Sequence, residues 1–289
     1  MILQFDRFPD TTREEVHIGH KEIDAAYKRA LDILKDPIDP GDFTDYKDVE
    51  KDIAFVKKME ADFGAGFARK SPDEQRIIKL SKIIEAIIFE HGEKSNWFGE
   101  SATTIQTSRF DDIVHHVDTI IEFQEGIVSA SHLAVAIDVT IADKIDKKFD
   151  YIKKCIDTGK LTEIKYFVSE FLSFHGRKTN VPHVVIGIGR NTAYNVTDAW
   201  IKRDMKKLAT HPIQITILEE MRVQLQAFKD YAEKIGKDEI ASIFEKTCGI
   251  VQNIMDSKEI TARDTRNLDA TDDMFYAVKF AAEHLAERK

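Results

Sequence analysis

Hydrophobic periodicity changes twice along this chain, and those two changes constrain the fold more than any single motif. Up to about residue 110 the apolar residues recur at helical spacing. From there to about residue 190 they gather in short β-branched runs, and beyond 190 helical spacing returns. The strand-like pattern is densest over 109–140. One run, over 109–123, carries Ile113, Val114, Val117, Ile120 and Ile121. A second, over 132–140, carries Leu133, Val135, Ile137 and Val139. Both are too brief for helices, and Gly126 with Ser129 and Ser131 marks a loose hairpin between them. Strands are expected over 117–123, 132–140 and 182–188, with another over 161–167. Strand, helix, strand, strand, helix predicts an α/β (α+β) fold built on a mixed sheet with covered faces.

Each of the first two strands carries one aspartate inside an apolar run, Asp118 and Asp138. A buried carboxylate needs a partner, a proton or a metal. Alternation places Ala134, Ala136, Asp138 and Thr140 on one face, and His116, Asp118, Ile120 and Glu122 on one face of the preceding strand. Simple pairing lets Asp118 and Asp138 converge on one cation. The competing reading has Asp138 capping the next helix and Asp118 meeting a nearby Lys or Arg.

Helices are expected over 14–35, 44–68, 71–91, 142–157, 191–208, 211–235, from Asp238 onward, and over 271–287. Ser71, Pro72 and Glu74 form a strong helix start, and Gly92 suits the same helix's end. Within that helix Glu85 falls between Ile88 and Ile78, inside the apolar arc. It is either an edge residue or a third carboxylate aimed at the sheet. The stripes of the terminal helices carry no chemistry and predict core or a homodimer interface. Gly187 and Gly189, before a helix, offer a weak phosphate-cradle signal.

With 289 residues the chain can bury an ample core, and its net charge of −9 excludes a protein that coats nucleic acid by bulk electrostatics. A local basic groove is still open to it. Residues 177–208 hold seven Lys or Arg against two Asp, and Lys202, Arg203, Lys206 and Lys207 cluster at a helix end. Those four either complement the helix dipole or contact nucleic-acid phosphates. Cys155 and Cys248 have no metal-type spacing. No leader and no membrane span are expected, which predicts a cytoplasmic protein.

Glu85 on a helix, Asp118 on a strand and Asp138 on the next together resemble the PD-(D/E)XK nuclease superfamily over about residues 72–190. The resemblance implies a restriction-endonuclease-like central sheet over 71–210, between an N-terminal helical hairpin (1–70) and a C-terminal helical region (211–289). It implies Mg²⁺ or Mn²⁺ held by Asp118 and Asp138, hydrolysis of DNA or RNA, and Glu85 as an accessory acid. The motif's lysine position is Thr140, which cannot supply a cation. Lys144, one turn into the next helix, and Lys165, within Glu163-Ile164-Lys165, are the substitutes. If neither serves, the resemblance implies a non-catalytic interaction or regulatory protein with an inactive nuclease-like core.

Overall fold

The computed structural model describes residues 18–139, 142–258 and 272–288, with the side chains of 134–139, 142–144 and 273 outside the description. The chain is a mixed α+β protein. Helix α1 (His20–Ile33) and α2 (Val49–Ala68) flank a short 3-10 turn, and α3 (Pro72–Lys94) follows directly. The expected start of α3 is present. The Glu74 amide donates to Ser71 Oγ at 3.3 Å and the Ser71 amide to the Glu74 carboxylate at 2.9 Å.

The main sheet has four strands in the order β1 (Ala102–Gln106), β2 (Thr119–Gln124), β3 (Ala130–Val139) and β6 (His183–Ile188). The first three form an antiparallel meander, with Ile121 opposite Leu133. Strand β6 runs parallel to β3, reached through α5 (Ala142–Thr158), and pairs Asp138 with Gly187. Helix α3 lies on β1 and β3. Gly92 allows that approach, since a Cβ there would sit 2.5 Å from the Thr104 methyl. It therefore serves packing inside α3, which continues past it.

Three further expectations need correction, and one strand was not foreseen. Residues 109–115 do not extend the strand; they form helix α4 (Arg109–His115), capped by Ser108 Oγ, which accepts from the Asp111 amide. Strand β1 carried no strand signal, because Ala-Thr-Thr-Ile-Gln is short and mostly polar. The strand foreseen over 161–167 is present as β4 (Thr162–Val168), but it pairs with β5 (His175–Val181) in a separate two-stranded sheet. The helix foreseen over 191–208 is broken. Helix α6 (Arg190–Ile201) ends, Arg203 takes φ 55°, and Asp204 caps a short α7 (Met205–Ala209).

Helices α8 (Ile213–Lys234), α9 (Asp238–Ser257) and α10 (Asp273–Glu283) complete the chain. The first and last of them cover β6. A Cβ on Gly187 would lie 2.7 Å from Val278, so glycine permits close contact with α10. The open edge of β6 is closed by side chains of α8. Gln224 accepts from the Val185 amide at 2.8 Å and donates to the Val185 carbonyl at 2.7 Å. Glu220 accepts from the Gly187 amide at 3.1 Å. Exposed strand edges invite foreign pairing, and this ladder of side chains occupies the edge instead. The amide of Gly189 is likewise taken, at 3.0 Å, by the Asp272 carboxylate, so each of the two glycine amides already serves an internal acid. One buried cluster runs from Ile18 to Leu285 through the isoleucines of α3, the sheet and Trp97, Trp200 and Phe228. No described helix is long and apolar enough to cross a membrane.

Candidate functional site

Glu85 lies on the inward face of α3, beside Ile84, Ile87 and Ile88, and is only 6% exposed. One turn earlier, Lys82 reaches back to it. Its Nζ donates to both carboxylate oxygens, at 2.7 and 2.6 Å. Spacing of three residues on a helix brings the two side chains together. Burial pushes the Glu85 carboxyl up to about 8, the Asp118 charge adds to the shift, and Lys82 opposes it. A carboxylate that far from its ordinary value carries a proton at neutral pH unless a cation replaces it.

Helix α4 supplies the next members. Arg109, in its first turn, pairs with Asp112 and, at 3.1 Å, with Glu60 of α2. Burial raises the Asp112 carboxyl to about 6, Asp118 raises it further, and Arg109, Lys82 and Lys148 pull against both. After α4, His116 adopts φ 58°, and the chain turns into β2. Asp118 stands at the bend just before that strand. Three carboxylates, Glu85, Asp112 and Asp118, thus share one electrostatic neighbourhood with Lys82. Burial works against the Lys82 charge, but Glu85, Asp118 and Asp112 overcome it and hold its pKa above the usual lysine range.

The foreseen pair of Glu85 and Asp118 is therefore brought together. Asp138 is placed by its backbone register opposite Gly187; its side chain and that of Lys144 lie outside the described residues, as does Thr140 altogether. Lys165 is engaged elsewhere. Its Nζ binds Asp52 of α2 and lies 5.0 Å over the Phe110 ring. It is not among the largest causes of the shifts at Glu85 or Asp112. Its placement follows from β4 belonging to the second sheet. Lys202, Arg203, Lys206 and Lys207 are all exposed, around the α6–α7 turn. Lys202 pairs with Asp198 at 2.8 Å. That turn is held beyond the end of α3 by Trp97, whose Nε1 donates to the Leu208 carbonyl at 3.0 Å.

Sequence reasoning missed Lys82, Arg109 and Asp112. The signal for the last two was Ser108 followed three residues later by Asp111, a helix start hidden by the β-branched Ile113 and Val114. Asp111 itself is fully buried and structural. Its oxygens accept from Ser108 Oγ at 2.7 Å, from the Lys165 amide at 2.7 Å and from the Tyr166 amide at 3.1 Å, and His115 Nδ1 lies 2.8 Å away. It ties α4 to the second sheet. Glu122 plays a similar part on β2. It bonds Ser169 Oγ, the Glu170 amide at 2.8 Å and the Phe171 amide at 3.2 Å, and His132 Nε2 lies 2.9 Å from it.

Among the described residues, no three His, Cys, Asp or Glu are grouped so as to hold a metal ion. Compared with known protein families, curated proteins and solved structures, the chain matches none of them.

Proposed function

We propose that this chain is a divalent-metal-dependent phosphodiesterase acting on DNA or RNA, related to the PD-(D/E)XK nucleases. The observation that carries the reading is Glu85, a carboxylate buried on an apolar helix face and forced up to about 8 beside Asp118. Nothing in folding demands an acid there, and crowded carboxylates are a natural cation site. The element order supports it. Helix α3, strands β1 to β3, helix α5 and strand β6 follow the superfamily's helix, three strands, helix, strand, with α4 and the β4–β5 hairpin as insertions.

Asp118 and Asp138 would hold Mg²⁺ or Mn²⁺, with Glu85 as the neighbouring acid. The bound metal would supply positive charge against the charge that develops on the phosphate. Lys82 is an ammonium in contact with Glu85, and it fits the role that Thr140 leaves empty: stabilising the phosphoryl oxygens and orienting the attacking water. Lys144 is the other substitute. Lys202, Arg203, Lys206 and Lys207 would contact the nucleic-acid backbone, and a second copy of the chain could dock on exposed Tyr276 and Phe280 of α10.

One observation favours the non-catalytic reading. Lys82 occupies both oxygens of Glu85, so the acid already has a cation. The discriminating experiment is cleavage of single- and double-stranded substrates with Mg²⁺ and with Mn²⁺, beside Asp118→Ala and Asp138→Ala. Cleavage by the parent chain and a fall of orders of magnitude in both variants supports the enzyme. Equal cleavage in all three preparations, or none with any substrate, rejects it.

A further inference from the structure

A small cavity of about 210 Å³ lies between the start of β3, the end of β5 and the middle of α9. Its lining is unusual for a chain of net charge −9. It contains Lys178, Lys246 and His132 with the hydroxyls of Ser131, Thr179 and Thr247, and no carboxylate. Lys178 is half-buried and makes no salt bridge among the described residues. Its Nζ lies 5.8 Å from the Phe174 ring. Lys246, across the cavity, is exposed and rests on Glu125 at 2.8 Å. His132 gives Nε2 to Glu122, which fixes the ring, and its Nδ1 has no hydrogen bond among the described residues.

The acid behind this wall offsets part of this charge through space but makes no hydrogen bond to either lysine among the described residues. Glu122 is already taken by His132, Ser169 and two backbone amides. Burial, with the charge of Lys246, holds the Lys178 ammonium below the usual lysine range, against a pull upward from Glu122. A half-buried ammonium with no hydrogen-bonded counter-ion is costly, and an anion entering the cavity reduces that cost.

We propose that this cavity is a binding site for the phosphoryl group of a phosphomonoester, held between Lys178 and Lys246 with the Thr179 hydroxyl as a further donor, since the Ser131 hydroxyl already donates to Glu125 at 2.7 Å and that of Thr247 to the Ile243 carbonyl at 3.0 Å. Two ammonium groups favour a dianion over the single charge of a phosphodiester. The volume suits one tetrahedral oxyanion with a few waters, given about 30 Å³ per water. The site stands apart from the acids around Glu85 and does not depend on the nuclease reading.

The test is calorimetric titration of the full chain with inorganic phosphate, adenosine monophosphate and a dinucleoside phosphodiester, on wild type, Lys178→Met and Lys246→Gln. The expected result is saturable binding of phosphate and the monoester and none of the diester. Lys178→Met should weaken binding about tenfold or more, the loss of one desolvated charge-assisted contact. In phosphate-free buffer Lys178→Met should unfold at the same urea concentration as wild type or a higher one. Three results would overturn the proposal: no saturable phosphate binding, unchanged affinity in Lys178→Met, or equal affinity for the diester. A lower unfolding midpoint in that variant would also overturn it, by making Lys178 a structural residue.

Discussion

Lys82 Nζ lies 2.7 Å from one oxygen of Glu85 and 2.6 Å from the other, on the apolar side of a helix that packs against the sheet. This pair separates the described site from an ordinary surface salt bridge, because Glu85 is buried and Asp118 and Asp112 add negative charge around it. Removing the ammonium should therefore cost more than a surface contact would. Lys82→Ala is expected to lose about 2 kcal/mol of stability, in the range of hydrogen bonds to charged groups. The loss should be larger at pH 9, where Glu85 must ionise, than at pH 6. Urea unfolding at the two pH values checks this, and an equal loss at both would count against it.

Glu85 should make stability fall with rising pH. Its folded value is about 8 against an ordinary 4.5, so the folded chain keeps a proton that the unfolded chain releases. The group's contribution is full below 4.5 and is lost as pH climbs to about 8. Asp112, raised to about 6 from 3.8, acts in the same sense over a lower window. Wild type should lose up to a few kcal/mol across these windows relative to Glu85→Gln, whose profile should be flatter. Parallel profiles would show that Glu85 titrates normally.

Asp111→Ala should be among the most damaging single changes. It removes the carboxylate that accepts from the amides of Lys165 and Tyr166, and it frees the Ser108 hydroxyl that caps α4. Two buried donors left unmade cost about 3 kcal/mol or more together. Hydrogen exchange at those two amides should accelerate while β2 and β3 stay protected. A loss below about 1 kcal/mol would mean that water replaces the acid.

Gln224→Ala should open the β6 edge. Both bonds to Val185 disappear, with an expected cost of about 2 kcal/mol and faster exchange of the Val185 amide. Because a bare edge also recruits other strands, the variant should aggregate at lower concentration, which light scattering reads directly. Unchanged exchange at Val185 would contradict the edge-capping role.

Glu85 was legible because a helix's apolar arc can be drawn from spacing alone, and an acid inside it stands out. The helices were legible for the same reason, and the Ser71 and Glu74 start appears as expected. Helix α4 was not, because Ile113 and Val114 favour strands locally while the Ser108 cap and the Asp111 bonds to β4 are decided by tertiary contact. Strand β5 escaped as well. His-Gly-Arg-Lys-Thr-Asn-Val is polar on an exposed hairpin and is a strand only because β4 pairs with it. The misplacement of Lys165 followed directly, since nothing in its own neighbourhood tells which sheet β4 joins.

The central claim is that Asp118 and Asp138 hold a cation with Glu85 as the neighbouring acid. Manganese binding measured by calorimetry at pH 7, in two buffers of different ionisation enthalpy, tests it most directly. Burial favours the protonated form of Glu85, and a cation that binds beside it favours the ionised form, so proton release on Mn²⁺ binding is expected from wild type. Proton release should vanish in Glu85→Gln, and Asp118→Asn should lose binding. No saturable Mn²⁺ binding, or binding and proton release unchanged in both variants, would contradict the claim.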